Sequence, residues 1–407
     1  MLFLAPLSLY LPPIHSPSAV LLCSSSKSFV RSQAGIRLPL APLSSNGYVT
    51  GGRSSSRTPE KVYRRLDSCL VIPPPSGRQP LAVVKFLGGA FVGAAPELTY
   101  SLLMELLAKE GFLIVSVPYG VTFDHSAAAR EVHERFHSCM NYLLSLGVPQ
   151  SGITGSELHG LPFYSVGHSN GALLQMLVGS FFSEKIPKAN VVISFCNKPA
   201  SQAVPYFEQI GPIARQLMPL VEASPAYSMA QIALGLPLIS FVFALEFLGD
   251  AWKALVHSAE TSLQDLDQEI FTSLTKFVDQ LPSVFGQVTQ GTSEFSPTPM
   301  ENREFFKKAY SVPHTLLVKF KIDGIDESEI LEKVLKPRAK SIGGNVEKVV
   351  LSGNHLTPCI QDLKWPVGYH YTPVDAIAQS LKSLTLNETK LLAATIADWL
   401  KSLDKVN

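Results

Sequence analysis

The sequence predicts an α/β fold, a mostly parallel sheet flanked by helices and interrupted by a helical insertion. From about residue 80, short apolar runs alternate with stretches of helical period, which is the pattern of successive βαβ units. One of those runs passes through a glycine-flanked serine directly into a helix-like run. A third observation is the long helical stretch, residues 200–310, that separates two later strands.

The elements follow in order. Residues 81–87 read as a strand, 96–109 as a helix, 112–118 as a strand and 126–146 as a helix, where Ala128, Val132, Phe136, Met140 and Leu143 form an apolar stripe. Residues 162–166 read as a strand, 172–182 as a helix and 190–195 as a strand. The sheet resumes at 315–320, ends with a last strand at 346–351, and is followed by a closing helix at 388–402. Within the insertion, 230–248 is strongly apolar but carries Gly235, Pro237 and Glu246. Gly-Leu-Pro in its middle breaks a helix, so a lid or membrane-surface contact fits better than a span. The insertion is expected to end in a loop over 286–299, rich in Gly, Ser, Thr and Pro. The division is thus 1–59 leader, 60–199 first part of the core, 200–310 lid, and 311–407 second part of the core.

Hydrophobic residues make up 46% of the 407-residue chain and charged residues 16%, which describes a buried globular enzyme better than a disordered or charge-steered binder. A formal charge of +1 offers nothing to nucleic acid. No Asp or Glu precedes Glu60, whereas Lys27, Arg31, Arg37, Arg53 and Arg57 do. Without those five, the 34 basic residues fall to 29 against 33 acidic, a net charge of about −4. A Ser-rich, Arg-bearing, acid-free leader is the composition of a chloroplast transit peptide, and the basic n-region of a secretory signal is lacking. The five cysteines are an odd number with no CxxC spacing, which fits free thiols in a reducing compartment.

Gly167-His168-Ser169-Asn170-Gly171 matches G-x-S-x-G. Between a strand and a helix this is a nucleophile elbow, with glycines where side chains would clash as the two elements approach, and it points to an α/β-hydrolase fold. A serine hydroxyl attacks an acyl carbon only when a base takes its proton and a carboxylate orients that base. In this fold the chain order is Ser, acid, His. His257, His314, His355 and His370 follow the elbow, and His355 sits in the loop directly after the last strand. Asp323 precedes a turn-forming glycine just past strand 315–320 and is the preferred acid; Asp326 is the alternative, equally suited to starting a helix near Glu327. The oxyanion donors are expected from the amide of Asn170 and that of Gly89 or Ala90 in Leu87-Gly88-Gly89-Ala90-Phe91. That loop does not fit GxGxxG and no acidic residue ends the next strand, so no dinucleotide is expected. No cofactor is expected.

His133-Glu134-Arg135-Phe136-His137 matches the zinc-protease pattern HExxH. Both imidazoles flank the apolar stripe of their helix, and a catalytic zinc needs a third, sheltered ligand, for which only Glu157 and His159 are near in sequence. A solvated helix face is the preferred reading, and no metal is expected.

Phe86-Leu87-Gly88-Gly89-Ala90-Phe91-Val92-Gly93, Thr122-Phe123-Asp124-His125, the Ser169 pentapeptide and Gly353-Asn354-His355-Leu356-Thr357-Pro358 resemble the plant and cyanobacterial domain-of-unknown-function family 1350, grouped with the α/β-hydrolases. The resemblance implies that fold, a plastid setting and esterase activity, without a substrate. Leu87 stands where many hydrolases have His, and Asn170 where an apolar residue is usual. Asp124 is preferred as a helix cap over a substrate contact. The expectation is a hydrolase of small-molecule or lipid-like carboxylic esters; the alternative is a non-catalytic binder of lipid or a partner.

Overall fold

The computed structural model describes residues 63–66, 68–203, 280–362 and 373–403. Its strands are β1 (Arg64–Leu66), β2 (Cys69–Ile72), β3 (Ala82–Leu87), β4 (Phe112–Ser116), β5 (Phe163–His168), β6 (Ala189–Ile193), β7 (His314–Ile322) and β8 (Asn345–Asn354). They form one eight-stranded sheet in the order β1-β2-β4-β3-β5-β6-β7-β8. Strands β3 to β8 run parallel, and β1 and β2 add an antiparallel edge. With helices on both faces this is the α/β-hydrolase fold. The β1–β2 edge escaped the sequence reading because strands of three and four residues leave too little period to see.

The central strands are apolar on both faces because both are covered. On β3, Val83 and Leu87 enter one core with α2 (His125–Leu146) and α3 (Asn170–Phe181), while Ala82, Val84 and Phe86 enter the other. The second core is closed by α1 (Ser101–Lys109) and α7 (Pro373–Leu403) through Leu103, Leu107, Leu392, Ile396 and Leu400. Between β6 and β7 lie α4 (Gln280–Thr289) and α5 (Pro299–Ala309), and between β7 and β8 lies α6 (Ser328–Ser341). Helix α4 runs through Gly286, so the expected 286–299 loop begins only after Thr289. The apolar segment 230–248, and most of the expected lid, lie outside the described residues. Among the described residues, no helix is long and apolar enough to cross a membrane.

The expected helix 96–109 is broken at Tyr100, whose backbone leaves helical geometry (φ −129°, ψ 7°). The break turns a fully buried phenol ring under the Gly88 loop, at a spot where the sequence shows only an apolar residue in period. One row crossing the first core is polar: Lys85, Ser165, Asn190 and Thr315 are register partners across β3, β5, β6 and β7, all buried. Ser165 bonds Asn190, and Tyr310 joins Asn190 to Thr315. Lys85 has its amine over the rings of Phe136 and Phe163, and burial lowers its pKa to about 7.

Candidate active site

Strand β5 ends at His168 and α3 begins at Asn170, so Ser169 alone makes the turn. It does so at φ 54° and ψ −120°, a conformation that costs an L-residue on the order of 1–3 kcal/mol. The surroundings hold it: the Ser169 amide donates to Ile193 O at 2.9 Å, and its carbonyl accepts the amides of Ala172 and Leu173. A β-carbon on Gly167 would lie 2.7 Å from the Cα of Ala172, and one on Gly171 2.5 Å from the carbonyl oxygen of Leu87. Both glycines are required by backbone packed against backbone, and Gly171 brings the elbow against the end of β3.

The sheet register supplies the next two groups. Ile322 of β7 pairs with Asn354 of β8, so Asp323 and His355 leave adjacent strand ends side by side. His355 Nε2 lies 3.0 Å from Ser169 Oγ, and its Nδ1 lies 2.9 Å from Asp323 Oδ2. Neither imidazole nor carboxylate is open to bulk water, their side chains being 8% and 0% exposed. Burial pushes the Asp323 carboxyl up, but the bond and charge of His355, with help from Ser194 and the Ile325 amide, bring it below its usual value. Asp326 takes the amide and hydroxyl of Ser328 at the start of α6, and burial raises its pKa. Of the two candidate acids, only Asp323 reaches an imidazole. His314 bonds Asn345 where β7 begins, far along the strand from Asp323; His257 and His370 lie outside the described residues.

The loop after β3 meets the elbow, as Gly89 would place a β-carbon 3.3 Å from Ser169 Cβ. Gly89 does not offer its amide to the site, however, since that N–H donates to the Tyr100 hydroxyl at 2.7 Å. The expectation of Gly89 or Ala90 therefore narrows to Ala90. The amides of Ala90 and Asn170 carry no hydrogen bond among the described residues, and the latter opens a twelve-residue helix whose dipole favours negative charge. The Asn170 side chain is fixed by Tyr119, whose hydroxyl lies 3.0 Å from Oδ1, and by His125 Nε2, 3.1 Å from Nδ2. His125 is buried and stacked on Phe295, and burial lowers its pKa to about 4, so it stays neutral and can accept from the amide. Next to it, Asp124 Oδ1 accepts the Ala127 amide at 2.8 Å and caps α2.

The model of a protein family, described as "Protein of unknown function (DUF1350)", matches residues 62–232 and 248–402. The chain belongs to the DUF1350 family. No curated protein matches the sequence. Among solved structures, this DUF1350 chain is similar to fungal esterases from Rhizomucor miehei (14% identity, 80% of this chain and 83% of that chain covered, TM-score 0.38). It is also similar to MenH from S. aureus (11%, 80% and 100%, 0.41). A third is a hyperthermophilic esterase from the archaeon Pyrobaculum calidifontis (15%, 80% and 81%, 0.35).

In this DUF1350 chain the HExxH residues lie on α2 and pack on the segment that follows α3. His133 stacks on Phe182 with centroids 3.8 Å apart, and His137 Nε2 lies 3.1 Å from Lys185 O. Glu157 closes a capping box with Thr154. Among the described residues no three His, Cys, Asp or Glu side chains gather as a metal site.

Several residues of the site were not singled out for their roles from the sequence. Tyr100, Tyr119 and His125 reach it from three different elements, and nothing local distinguishes them from core aromatics. Gln280 is another: on α4 its Oε1 accepts the Val121 amide at 3.0 Å while its Nε2 donates to Phe91 O at 3.2 Å, which pins the loop carrying Ala90. His168 alone had a visible signal, its place inside the pentapeptide.

Proposed function

We propose that this protein is a serine hydrolase that cleaves carboxylic esters, with Ser169 as nucleophile, His355 as base and Asp323 as orienting acid. The observation that carries the reading is the single imidazole of His355 spanning Ser169 Oγ at 3.0 Å and Asp323 Oδ2 at 2.9 Å beside a strained elbow. His355 Nε2 takes the hydroxyl proton as Ser169 Oγ attacks the acyl carbon. The amides of Asn170 and Ala90 receive the charge on the carbonyl oxygen. His355 then hands its proton to the departing alkoxide, leaving an acyl-serine that water, activated by the same imidazole, releases. Asp323, kept ionised by its neighbours, holds the proton on His355 Nδ1 so that Nε2 faces the serine.

Labelling with a fluorophosphonate probe and hydrolysis of p-nitrophenyl esters of graded acyl length test this. Label on the wild type and none on Ser169→Ala is expected. No label on the wild type, or equal label on both, overturns the reading in favour of a binding protein on a hydrolase scaffold. The acid-free, Ser-rich leader supports a plastid location. Residues 1–60 fused to a fluorescent protein are expected to deliver it to chloroplasts, and a cytosolic signal overturns that assignment.

A further inference from the structure

His168, the residue immediately before the serine, has a fully buried ring with a partner at each nitrogen. Its Nε2 lies 2.9 Å from the backbone carbonyl oxygen of His355, and its Nδ1 2.7 Å from the hydroxyl of Tyr100. A carbonyl can only accept, so the ring proton is on Nε2. Nδ1 is then an acceptor and the Tyr100 hydroxyl must donate to it. That hydroxyl in turn accepts the Gly89 amide at 2.7 Å. The protons along the chain run Gly89 N–H to Tyr100 Oη, Tyr100 O–H to His168 Nδ1 and His168 Nε2–H to His355 O, with the Cys359 thiol as a further hydrogen-bond neighbour of the Tyr100 hydroxyl.

The two ends of this chain are the two loops the reaction depends on. One is the backbone of the base itself, whose side chain must stay within about 0.5 Å of its working place. The other is Gly89, whose amide is spent on Tyr100 and whose neighbour Ala90 is the oxyanion donor of the proposed mechanism. Both loops turn through left-handed backbone beside these residues: Gly353, two residues before His355, has φ 117°, and Phe91, just after Ala90, has φ 60°. The ring carrying the link sits on β5, one of the central strands of the sheet.

We infer that His168 is a positioning residue which, through Tyr100, ties the backbone of His355 and the Gly89–Ala90 loop to the central sheet. The inference rests on the serine-hydrolase reading for its effect on rate, and on geometry alone for the bonds. Neutrality suits the role: burial, then the neighbouring His355, lowers the His168 pKa to about 3, so the ring is a one-donor, one-acceptor link at neutral pH.

The experiment uses the full chain with three variants, His168→Asn, His168→Gln and Tyr100→Phe. Asparagine keeps an acceptor at the place of Nδ1 but has nothing to reach His355; glutamine restores the donor at the place of Nε2 and gives up the acceptor for Tyr100. Tyr100→Phe keeps the buried ring and removes one hydroxyl, so it reads the link even where His168→Asn folds poorly. Hydrolysis of p-nitrophenyl butyrate, normalised to sites labelled by fluorophosphonate, is expected to lose roughly 10–100-fold in kcat for His168→Asn, with KM within about threefold. His168→Gln and Tyr100→Phe, which both give up the bond between residues 100 and 168 and keep a donor to the His355 carbonyl, are expected to lose less than His168→Asn and by similar factors. Equal losses in Asn and Gln variants, or an unchanged kcat per labelled site in both His168→Asn and Tyr100→Phe, overturn the inference.

The bonds are read independently by 15N NMR of histidine-labelled wild type. A His168 ring protonated at Nε2 and not titrating between pH 5 and 9 is expected, with an Nδ1 shift in Tyr100→Phe. A proton on Nδ1, or titration near the ordinary histidine value, overturns the inference while leaving an active enzyme explained. An inactive wild type with the Nε2–H form intact overturns the hydrolase reading and leaves the link standing.

Discussion

Exchanging the Asp323 carboxylate for an amide separates the two candidate acids more sharply than any other change. Asp323 accepts His355 Nδ1 at 2.9 Å with its other oxygen on the Ile325 amide, so Asp323→Asn keeps the shape and the local turn. An amide whose nitrogen faces Nδ1 forces the ring proton to Nε2, and Ser169 Oγ then has no acceptor to give its proton to. The loss expected is about 10⁴ in kcat, or roughly 5 kcal/mol of transition-state stabilisation, with little change in KM. Asp326→Ala touches only the start of α6, where Asp326 holds the Ser328 amide and hydroxyl. It is expected to cost about 1 kcal/mol of stability as a lost helix-start cap, with kcat within about threefold of wild type. The assays are p-nitrophenyl ester turnover per labelled serine and urea denaturation of the same samples. A collapse of turnover in Asp326→Ala with Asp323→Asn nearly unimpaired would refute the reasoning.

Other perturbations read other parts of the fold. Ser169→Gly removes the side chain that makes φ 54° unfavourable and is expected to raise unfolding free energy by about 1 kcal/mol while abolishing label; Ser169→Ala, which keeps its β-carbon, should show no such gain in urea titrations. Gly171→Ala drives a β-carbon into the Leu87 and Gly88 carbonyls, so the elbow and β3 must part; a loss of at least about 3 kcal/mol with no measurable turnover is expected in paired thermal and kinetic assays. Lys85 has a folded pKa lowered by burial to about 7 from 10.5, so between these values the unfolded chain binds the extra proton and stability rises with pH. Lys85→Met is expected to flatten that rise in urea midpoints measured from pH 7 to pH 10, and an unchanged slope would count against a buried neutral amine.

Much of the polypeptide's path was legible because its signals are local. Strands β3 to β8 are apolar runs bounded by turns, and the cap at Asp124 and the elbow glycines follow from short-range chemistry. What was not legible needed neighbours distant in the chain. The β1–β2 edge is too short to show a period, and Tyr100 reads as one more apolar residue in a helix until its hydroxyl meets Gly89 and His168. The choice of Asp323 over Asp326 is a matter of register: Ile322 opposite Asn354 puts one carboxylate beside the imidazole, and a turn sends the other to α6.

By itself the sequence determined the order of strands and helices, the elbow at Ser169 and the strand ends that carry Asp323 and His355, since apolar runs and glycine placement act within a few residues. Tertiary structure decided that Asp323 and not Asp326 reaches the His355 imidazole, that the Gly89 amide is spent on Tyr100, and that His133 and His137 pack on a helix flank. Those outcomes depend on hydrogen bonds between residues 11 to 48 positions apart, and such partners are set only when the sheet has formed.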